Sequence, residues 1–250
     1  MDNYEKYVVA FLDILGFKNL IKEKGFNEIK EIFLSVISPD ELVIALGRAC
    51  TPEDEVLTNY NKTLKCTKIH IMSDSIIVAA PAICKEALAV VIDICSIIQE
   101  RLYDFEMPIL LRGAIDMGDF YLNGGIMFGE ALINAYMAQE YYAKYPRIIV
   151  SNKLIEEMIV SVDKEYIELP EATDKYRYVN SLERYIGCSN IQKHSDLLES
   201  KKYNKILDMV RYQLKGYNSE SVRDKYIWLQ DVALKRIERE IAIREGILLL

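Results

Sequence analysis

The chain has little of what many active sites need. It has two histidines, and its five cysteines form no Cys-x-x-Cys pair. With so few nitrogen and sulfur ligands we expect no zinc site, and no Ser-His-Asp or Cys-His catalytic group can be assembled. The odd number of cysteines favours free thiols in a reducing compartment over a disulfide framework.

Basic charge and long apolar runs are also scarce. The 31 Lys and Arg residues are outnumbered by 38 Asp and Glu, which gives a net charge of −7. Surfaces that bind nucleic acid or anionic membranes need basic patches. The longest apolar stretch, residues 76–98, is interrupted by a proline and three charged residues, and Asp2 and Glu5 replace the basic start of a signal peptide. We therefore expect a cytoplasmic protein without nucleic-acid or membrane partners.

The chain does have two aspartates at the ends of apolar strands. Asp13 follows the run Tyr7–Leu12 and precedes a glycine turn at Gly16, and Asp74 lies between the apolar segments 68–72 and 75–80. Burial of an unpaired charge is very costly, so carboxylates at such positions suggest ligands for a hard cation. Mg²⁺ is usually held by one or two carboxylates together with substrate phosphates.

The predicted elements follow the order β-α-β-β-α-β, with a further αβ unit behind them. This is the split βαβ layout of a ferredoxin-like sheet, an α/β (α+β) fold. It places the first strand (about 7–13) beside the hairpin (about 67–80), so Asp13 and Asp74 should lie at neighbouring strand ends. We predict a core domain at 1–182 and a helical extension at 183–250, packed on the core or on a second subunit.

Two local predictions concern the connections. Residues 39–65 contain two prolines, two asparagines and an acidic cluster, which predicts a short helix and a mobile excursion. The strand that starts near residue 109 is predicted to end at Gly118, with a short separate strand at 119–122 and a loop at 123–125.

Ordered motifs in residues 5–155 resemble those of class III nucleotidyl cyclases. Residues 11–17 (FLDILGF) resemble the first metal motif, residues 72–76 (MSDSI) the second metal hairpin, and residues 111–118 (LRGAIDMG) the R-x-G-I-x-x-G strand. The runs GEALINAY (129–136) and YPRIIVS (145–151) resemble, within that family, the stand-alone bacterial uridylate and cytidylate cyclases of the Pycsar anti-phage systems.

This resemblance implies a homodimer with composite active sites. It would convert a nucleoside triphosphate into the 3′,5′-cyclic monophosphate and pyrophosphate. Two ions, Mg²⁺ or Mn²⁺, would be held at Asp13, Ile14 and Asp74, one to activate the ribose 3′-hydroxyl and one to hold the triphosphate.

Phosphate contacts are also implied. The candidates are Arg112 and the backbone N–H groups of a turn at a helix N-terminus, namely Ile14, Leu15, Gly16 and Phe17. More ordinary interpretations remain open at three positions. Asp13 could cap the helix after Gly16, Asp74 could be a plain turn residue, and Arg112 could be structural.

Four positions depart from the purine-specific cyclases. His70 replaces their adenine-reading lysine and Ile126 their adenine-reading aspartate, which disfavours ATP. His70 is then either a contact for a pyrimidine base or an ordinary core or turn histidine. Ile133 and Met137 replace their transition-state asparagine and arginine. An apolar pair cannot stabilise charge on the α-phosphate. Either another group does so, with Asn134, Arg147 and the Arg112 of a partner subunit as candidates, or turnover is slow, or the site only binds nucleotide.

The sequence leaves three functions open. The first is a pyrimidine cyclase that makes a second messenger from UTP or CTP for a downstream effector in anti-phage defence. The second is a catalytically degenerate cyclase fold that senses a nucleotide. The third is an ATP or GTP cyclase in which His70 reads the purine. The reaction products formed from each of the four nucleoside triphosphates distinguish them.

Overall fold

A mixed sheet flanked by helices forms the centre of the molecule. The computed structural model describes residues 4–47, 53–158, 176–182, 201–216 and 219–244. The strands in these ranges are β1 (Glu5–Ile14), β2 (Lys68–Met72), β3 (Ser75–Pro81), β4 (Leu111–Asn123), β5 (Ile126–Gly129), β6 (Ile148–Val150) and β7 (Arg177–Tyr178). The helices are α1 (Phe17–Glu23), α2 (Phe26–Ile37), α3 (Pro39–Leu46), α4 (Glu55–Cys66), α5 (Ala87–Tyr103), α6 (Glu130–Tyr142), α7 (Asn152–Met158), α8 (Lys201–Gly216) and α9 (Glu220–Arg244).

The strand order confirms the predicted α/β fold class. The sheet runs β2-β3-β1-β4-β6-β7, and β5 pairs with the far part of β4. Its first four strands are antiparallel neighbours in the order of a ferredoxin-like sheet. The first crossover contains α1 to α4 and the second contains α5. The further unit α6-β6 then adds a strand parallel to β4.

Alternate side chains of β1 pack on opposite faces of the sheet. Val8, Ala10 and Leu12 are fully buried in the main apolar cluster, which α5 also lines. Val9 and Phe11 pack in a second cluster with residues of α6. Because side chains of a strand alternate in direction, Asp13 lies on the α6 side of the sheet.

Gly118 does not end a strand. β4 runs through it for 13 residues, and β5 returns antiparallel after the positive-φ turn Gly124-Gly125. A Cβ at Gly118 would lie 2.9 Å from the backbone nitrogen of Ala131. The glycine therefore permits the close approach of α6 to the sheet. From the sequence alone, a glycine with this role cannot be distinguished from a glycine that ends a strand.

The predicted mobile excursion is wrong for residues 55–66, which form α4. The Asp54 carboxylate caps this helix by accepting from the Leu57 N–H at 3.0 Å. Tyr60 is buried, and its hydroxyl donates to the buried Asp93 carboxylate of α5 at 2.6 Å. Residues 48–52 lie outside the described ranges.

The last two helices pack on the core. Buried residues of α8 and α9, among them Tyr203, Ile206 and Leu229, share one apolar cluster with Tyr103 and Leu110. Residues 183–200, where the predicted extension begins, lie outside the described ranges. Within those ranges, none of the helices combines the length and the apolar character that a bilayer crossing requires.

Candidate active site

The two strand-end aspartates meet at one edge of the sheet. Asp13 is opposite Ser75 in the β1–β3 register, and the Ile14 N–H donates to the Asp74 carbonyl at 2.9 Å. Asp74 follows Ser73 in the two-residue turn of the β2–β3 hairpin. Ser73 has φ 58°, a conformation that non-glycine residues seldom adopt. The structure thus brings the two positions together, and their role as ligands stays a prediction.

Asp13 is paired across the sheet with Arg112. The two residues are opposite each other in the β1–β4 register, and the Arg112 Nε donates to the Asp13 Oδ2 at 2.8 Å. Their side chains are 19% and 23% exposed. The N-cap of α1 is Gly16, which has no side-chain cap, so Asp13 is not the cap of that helix.

A third carboxylate, which sequence reasoning missed, lies beside this pair. Glu140 of α6 places its Oε2 3.7 Å from the Arg112 Nη2. It lies one turn after Met137 and on the same side of the helix as Ile133. No feature of the sequence separates Glu140 from the other surface acids, because its significance depends on how α6 crosses β4.

The surroundings of Asp13 have opposing effects on the pKa of its carboxyl group. Burial raises the pKa of the Asp13 carboxyl, the Arg112 hydrogen bond and charge lower it, and the carboxylates of Asp74 and Glu140 raise it again. The net direction is upward. A bound cation would relieve both the desolvation and the repulsion among the three carboxylates.

The charges of Arg112 and Asp13 also act on a lysine from the C-terminal helices. Burial and the Arg112 charge lower the pKa of Lys225 on α9, while the Asp13 charge raises it. Its helix packs against Leu15, which lies just after β1. The sequence places residue 225 in an appendage and offers no signal for this contact.

The donor chemistry fits Mg²⁺ or Mn²⁺ better than a metal that needs a complete protein cage. No group of three or more His, Cys, Asp or Glu side chains in the described ranges is arranged to hold an ion. Asp13 and Asp74 supply two carboxylates, the number that Mg²⁺ commonly takes when substrate phosphates and waters complete its shell. The predicted contact at Ile14 stays a prediction.

The turn after β1 has fewer N–H groups for phosphate than predicted. The Ile14 N–H donates to the Asp74 carbonyl, and the Leu15 N–H donates to the Leu110 carbonyl, each at 2.9 Å. Those two donors are therefore already satisfied by the backbone. The phosphate prediction is left with Gly16, at φ 75°, and Phe17, the first residue of the seven-residue α1.

The residues proposed to replace the transition-state asparagine and arginine differ in their position and burial. Asn134 is half-buried on α6, and its position six residues before Glu140 puts it on another side of the helix. Arg147 is 3% exposed, and its guanidinium carbon lies 5.5–5.9 Å from the ring centroids of Tyr145, Tyr178 and Trp228. Arg147 is thus enclosed among aromatic rings and is removed as a phosphate candidate.

His70 lies on the sheet face that contains Asp13. It is opposite Ile77 on β3, which is in turn opposite Phe11 on β1, two residues before Asp13. The His70 Nε2 is buried and has no hydrogen-bond partner in the described part of the chain. Ile126 is 63% exposed on β5.

Comparisons with known proteins give structural likeness alone. No protein-family model matches the chain, and no curated protein matches it. The catalytic core of a rhodopsin-guanylyl cyclase with converted specificity, in complex with ATPαS, is 13% identical with a TM-score of 0.44, over 70% of this chain and 94% of that one. The monomeric guanylyl cyclase domain of the RhoGC fusion protein from the aquatic fungus Blastocladiella emersonii is 15% identical with a TM-score of 0.44, over 71% and 96%.

A third solved structure is the adenylate/guanylate cyclase/hydrolase from Silicibacter pomeroyi. It is 17% identical with a TM-score of 0.41, over 70% of this chain and 95% of that one. Matches as distant as these decide nothing about activity.

Proposed function

We propose that the chain is a metal-dependent nucleotidyl cyclase that forms a 3′,5′-cyclic pyrimidine mononucleotide and pyrophosphate from UTP or CTP. The observation behind this proposal is the meeting of Asp13 and Asp74 at one sheet edge, with Arg112 paired to the first of them. Asp13 and Asp74 are carboxylates at neighbouring strand ends, and an arginine is paired with the first of them. They suit a site for a cation and its polyphosphate ligand.

The protein's own residues orient this site. Arg112 holds the Asp13 carboxylate on the α6 face of the sheet, and the tight turn at Ser73 fixes the backbone of Asp74 against β1. When bound, Mg²⁺ or Mn²⁺ supplies Lewis-acid activation of the ribose 3′-hydroxyl and neutralises charge on the triphosphate. Since the charges of Asp74 and Glu140 add to that of Asp13 and one arginine pairs with Asp13, the site favours cation binding before the anionic substrate arrives.

The proposal includes a homodimer. The outer side of α6 exposes Ile133 (61%), Tyr136 (46%) and Met137 (42%). Exposed apolar residues grouped on one helix side favour contact with a second chain. A partner packed on this side would lie next to Glu140 and the Asp13–Arg112 pair, and composite sites follow from that placement.

The pyrimidine part of the proposal depends on His70 and Ile126. Neither residue can make the contacts with adenine that purine-specific cyclases make, and the buried Nε2 of His70 has hydrogen-bonding capacity to offer a base. The resemblance to the stand-alone uridylate and cytidylate cyclases extends the proposal to a second messenger in anti-phage defence, read by a downstream effector.

Incubation of the purified chain with Mn²⁺ and each of the four nucleoside triphosphates tests this function. We expect a cyclic monophosphate and pyrophosphate from UTP or CTP, identified by mass spectrometry. Asp13→Asn should abolish the product, and Asp208→Asn, a change at an exposed acid on α8, should not. Absence of cyclic product with all four substrates would contradict catalysis.

The second candidate function is a nucleotide sensor without turnover. Ile133 and Met137 favour it, because apolar side chains stand where the reaction needs charge stabilisation. A metal-dependent rise in melting temperature with UTP, without pyrophosphate release, would support the sensor. A cyclic product from ATP or GTP would instead assign the enzyme to purines and make His70 a purine contact.

A further inference from the structure

The C-terminal helices are attached to the strand ends that form the site. Leu15, in the turn after β1, packs against the apolar cluster of α8 and α9. Its N–H donates to the Leu110 carbonyl at 2.9 Å, and Leu110 is itself buried in that cluster. Leu110 directly precedes β4, on which Arg112 lies. Helices α8 and α9 therefore share an apolar cluster with the residue that follows β1 and the residue that precedes β4, the two strands that supply the Asp13–Arg112 pair.

Lys225 is placed by this packing. It precedes the buried Leu229 by one helical turn, so both lie on the side of α9 that faces the core. Lys225 is half-buried, and the charged groups that act on it are Arg112 and Asp13. It forms no ion pair within 4.0 Å with any carboxylate of the described residues.

The charges of Arg112 and Lys225 thus act on each other, and the two side chains have different surroundings. Arg112 is held by Asp13 and lies 3.7 Å from Glu140, whereas Lys225 is repelled by Arg112 and attracted to Asp13 without an ion pair to it. Like charges in a partly desolvated site disfavour each other. An anion with several charges, placed between them, removes that penalty and forms charge-assisted hydrogen bonds.

We propose that Lys225 binds the triphosphate of the substrate, in the same chain as the two aspartates. The proposal rests on the proposed function and adds a residue to its site. It makes the C-terminal helices part of the site and not a separate appendage. It also provides a cationic side chain from α9 in a site to which Ile133 and Met137 of α6 contribute only apolar side chains.

Binding of inorganic tripolyphosphate in the presence of Mg²⁺, measured by titration calorimetry on the full chain, tests this without turnover. Lys225→Gln should weaken binding roughly 10- to 100-fold, the loss expected for one hydrogen bond to a charged group. Lys225→Arg keeps the charge and should stay within about threefold of the original chain, by the same reasoning. Lys235→Gln, a change at an exposed lysine of the same helix, is the matched control and should bind unchanged.

The outcomes separate the two proposals. Equal affinity of the original chain and of Lys225→Gln would overturn the role of Lys225 and leave the cyclase proposal standing. An original chain that binds neither tripolyphosphate nor UTP would overturn both. Thermal unfolding followed by circular dichroism checks the fold of each variant. If Lys225→Gln does not fold, Lys225→Met, which keeps an apolar stem of similar length, takes its place with the same expected loss.

Discussion

Replacement of Arg112 by glutamine separates a metal site from a simple ion pair. In the apo protein Arg112 is the cation that neutralises Asp13, and Asp74 and Glu140 add negative charge beside it. Arg112→Gln removes the guanidinium that pairs with Asp13 and lies 3.7 Å from Glu140, and it leaves the negative charge of Asp74 in place. We expect a less stable apo protein that gains more from a divalent ion than the original chain does.

The magnitude follows from the exposure of the pair. The Arg112 and Asp13 side chains are 23% and 19% exposed, between a surface pair and a buried one. Surface pairs contribute about 0–1 kcal/mol, and loss of one partner of a buried pair costs about 3–5 kcal/mol. We therefore expect Arg112→Gln to lower the free energy of unfolding by about 2 kcal/mol. In a chain of 250 residues, this corresponds to a fall in melting temperature of roughly 4–8 °C.

Differential scanning fluorimetry with and without Mn²⁺ is the assay. The Mn²⁺-dependent rise in melting temperature should be larger for Arg112→Gln than for the original chain and should vanish for Asp13→Asn. The double variant Asp13→Asn, Arg112→Gln should show no metal response either. A Mn²⁺ response that is the same in all four proteins would show that the ion binds elsewhere and would contradict a metal site at Asp13.

Four further predictions concern the site and its support. Asp74→Asn should lower cyclic-nucleotide formation at least about 100-fold, judged by product chromatography, because removal of one charge-stabilising group costs that much, and an unchanged rate would remove Asp74 from the site. Because burial raises the pKa of Asp13, the folded state holds its proton to higher pH than the unfolded chain, so the contribution of this group to stability falls as pH rises from about 3.9 through the raised pKa. Mn²⁺ affinity should rise over the same pH range. Urea unfolding checks the stability trend and metal titration checks the affinity trend, and Asp13→Asn should show neither. Tyr60→Phe should cost about 1–3 kcal/mol in urea unfolding, since it removes the 2.6 Å hydrogen bond to the buried Asp93 carboxylate, and a smaller loss would mean that Asp93 is satisfied without it. Trp228→Ala should cost about 3 kcal/mol by the same assay, because its ring stacks on Tyr145 at 5.5 Å and adjoins Arg147, and a neutral effect would show that α9 is held by other contacts.

The sequence predicts the layout of the sheet because local signals agree with one another. Apolar runs, a hairpin turn and glycine positions determine which segments are strands, and the ferredoxin-like order then places β1 beside β3. From that order alone, Asp13 and Asp74 are expected at neighbouring strand ends. The register supports this, with Asp13 opposite Ser75.

The sequence does not predict features that depend on three-dimensional approach. Gly118 resembles a strand end, but it accommodates the start of α6. Glu140 and Lys225 resemble surface charges until α6 and α9 are placed against β4. Helix α4 was missed because its polar residues resemble a loop, whereas burial of Tyr60 and Leu64 determines its structure. Tertiary packing overrides local propensity at each of these positions.

The most direct test of the account is the number of Mn²⁺ ions bound per chain in the presence of a non-reactive UTP analogue, measured by electron paramagnetic resonance. We expect two ions for the original chain and a loss of bound metal in both Asp13→Asn and Asp74→Asn. A chain that binds no Mn²⁺ with the analogue, or whose bound metal is unaffected by either substitution, would contradict it.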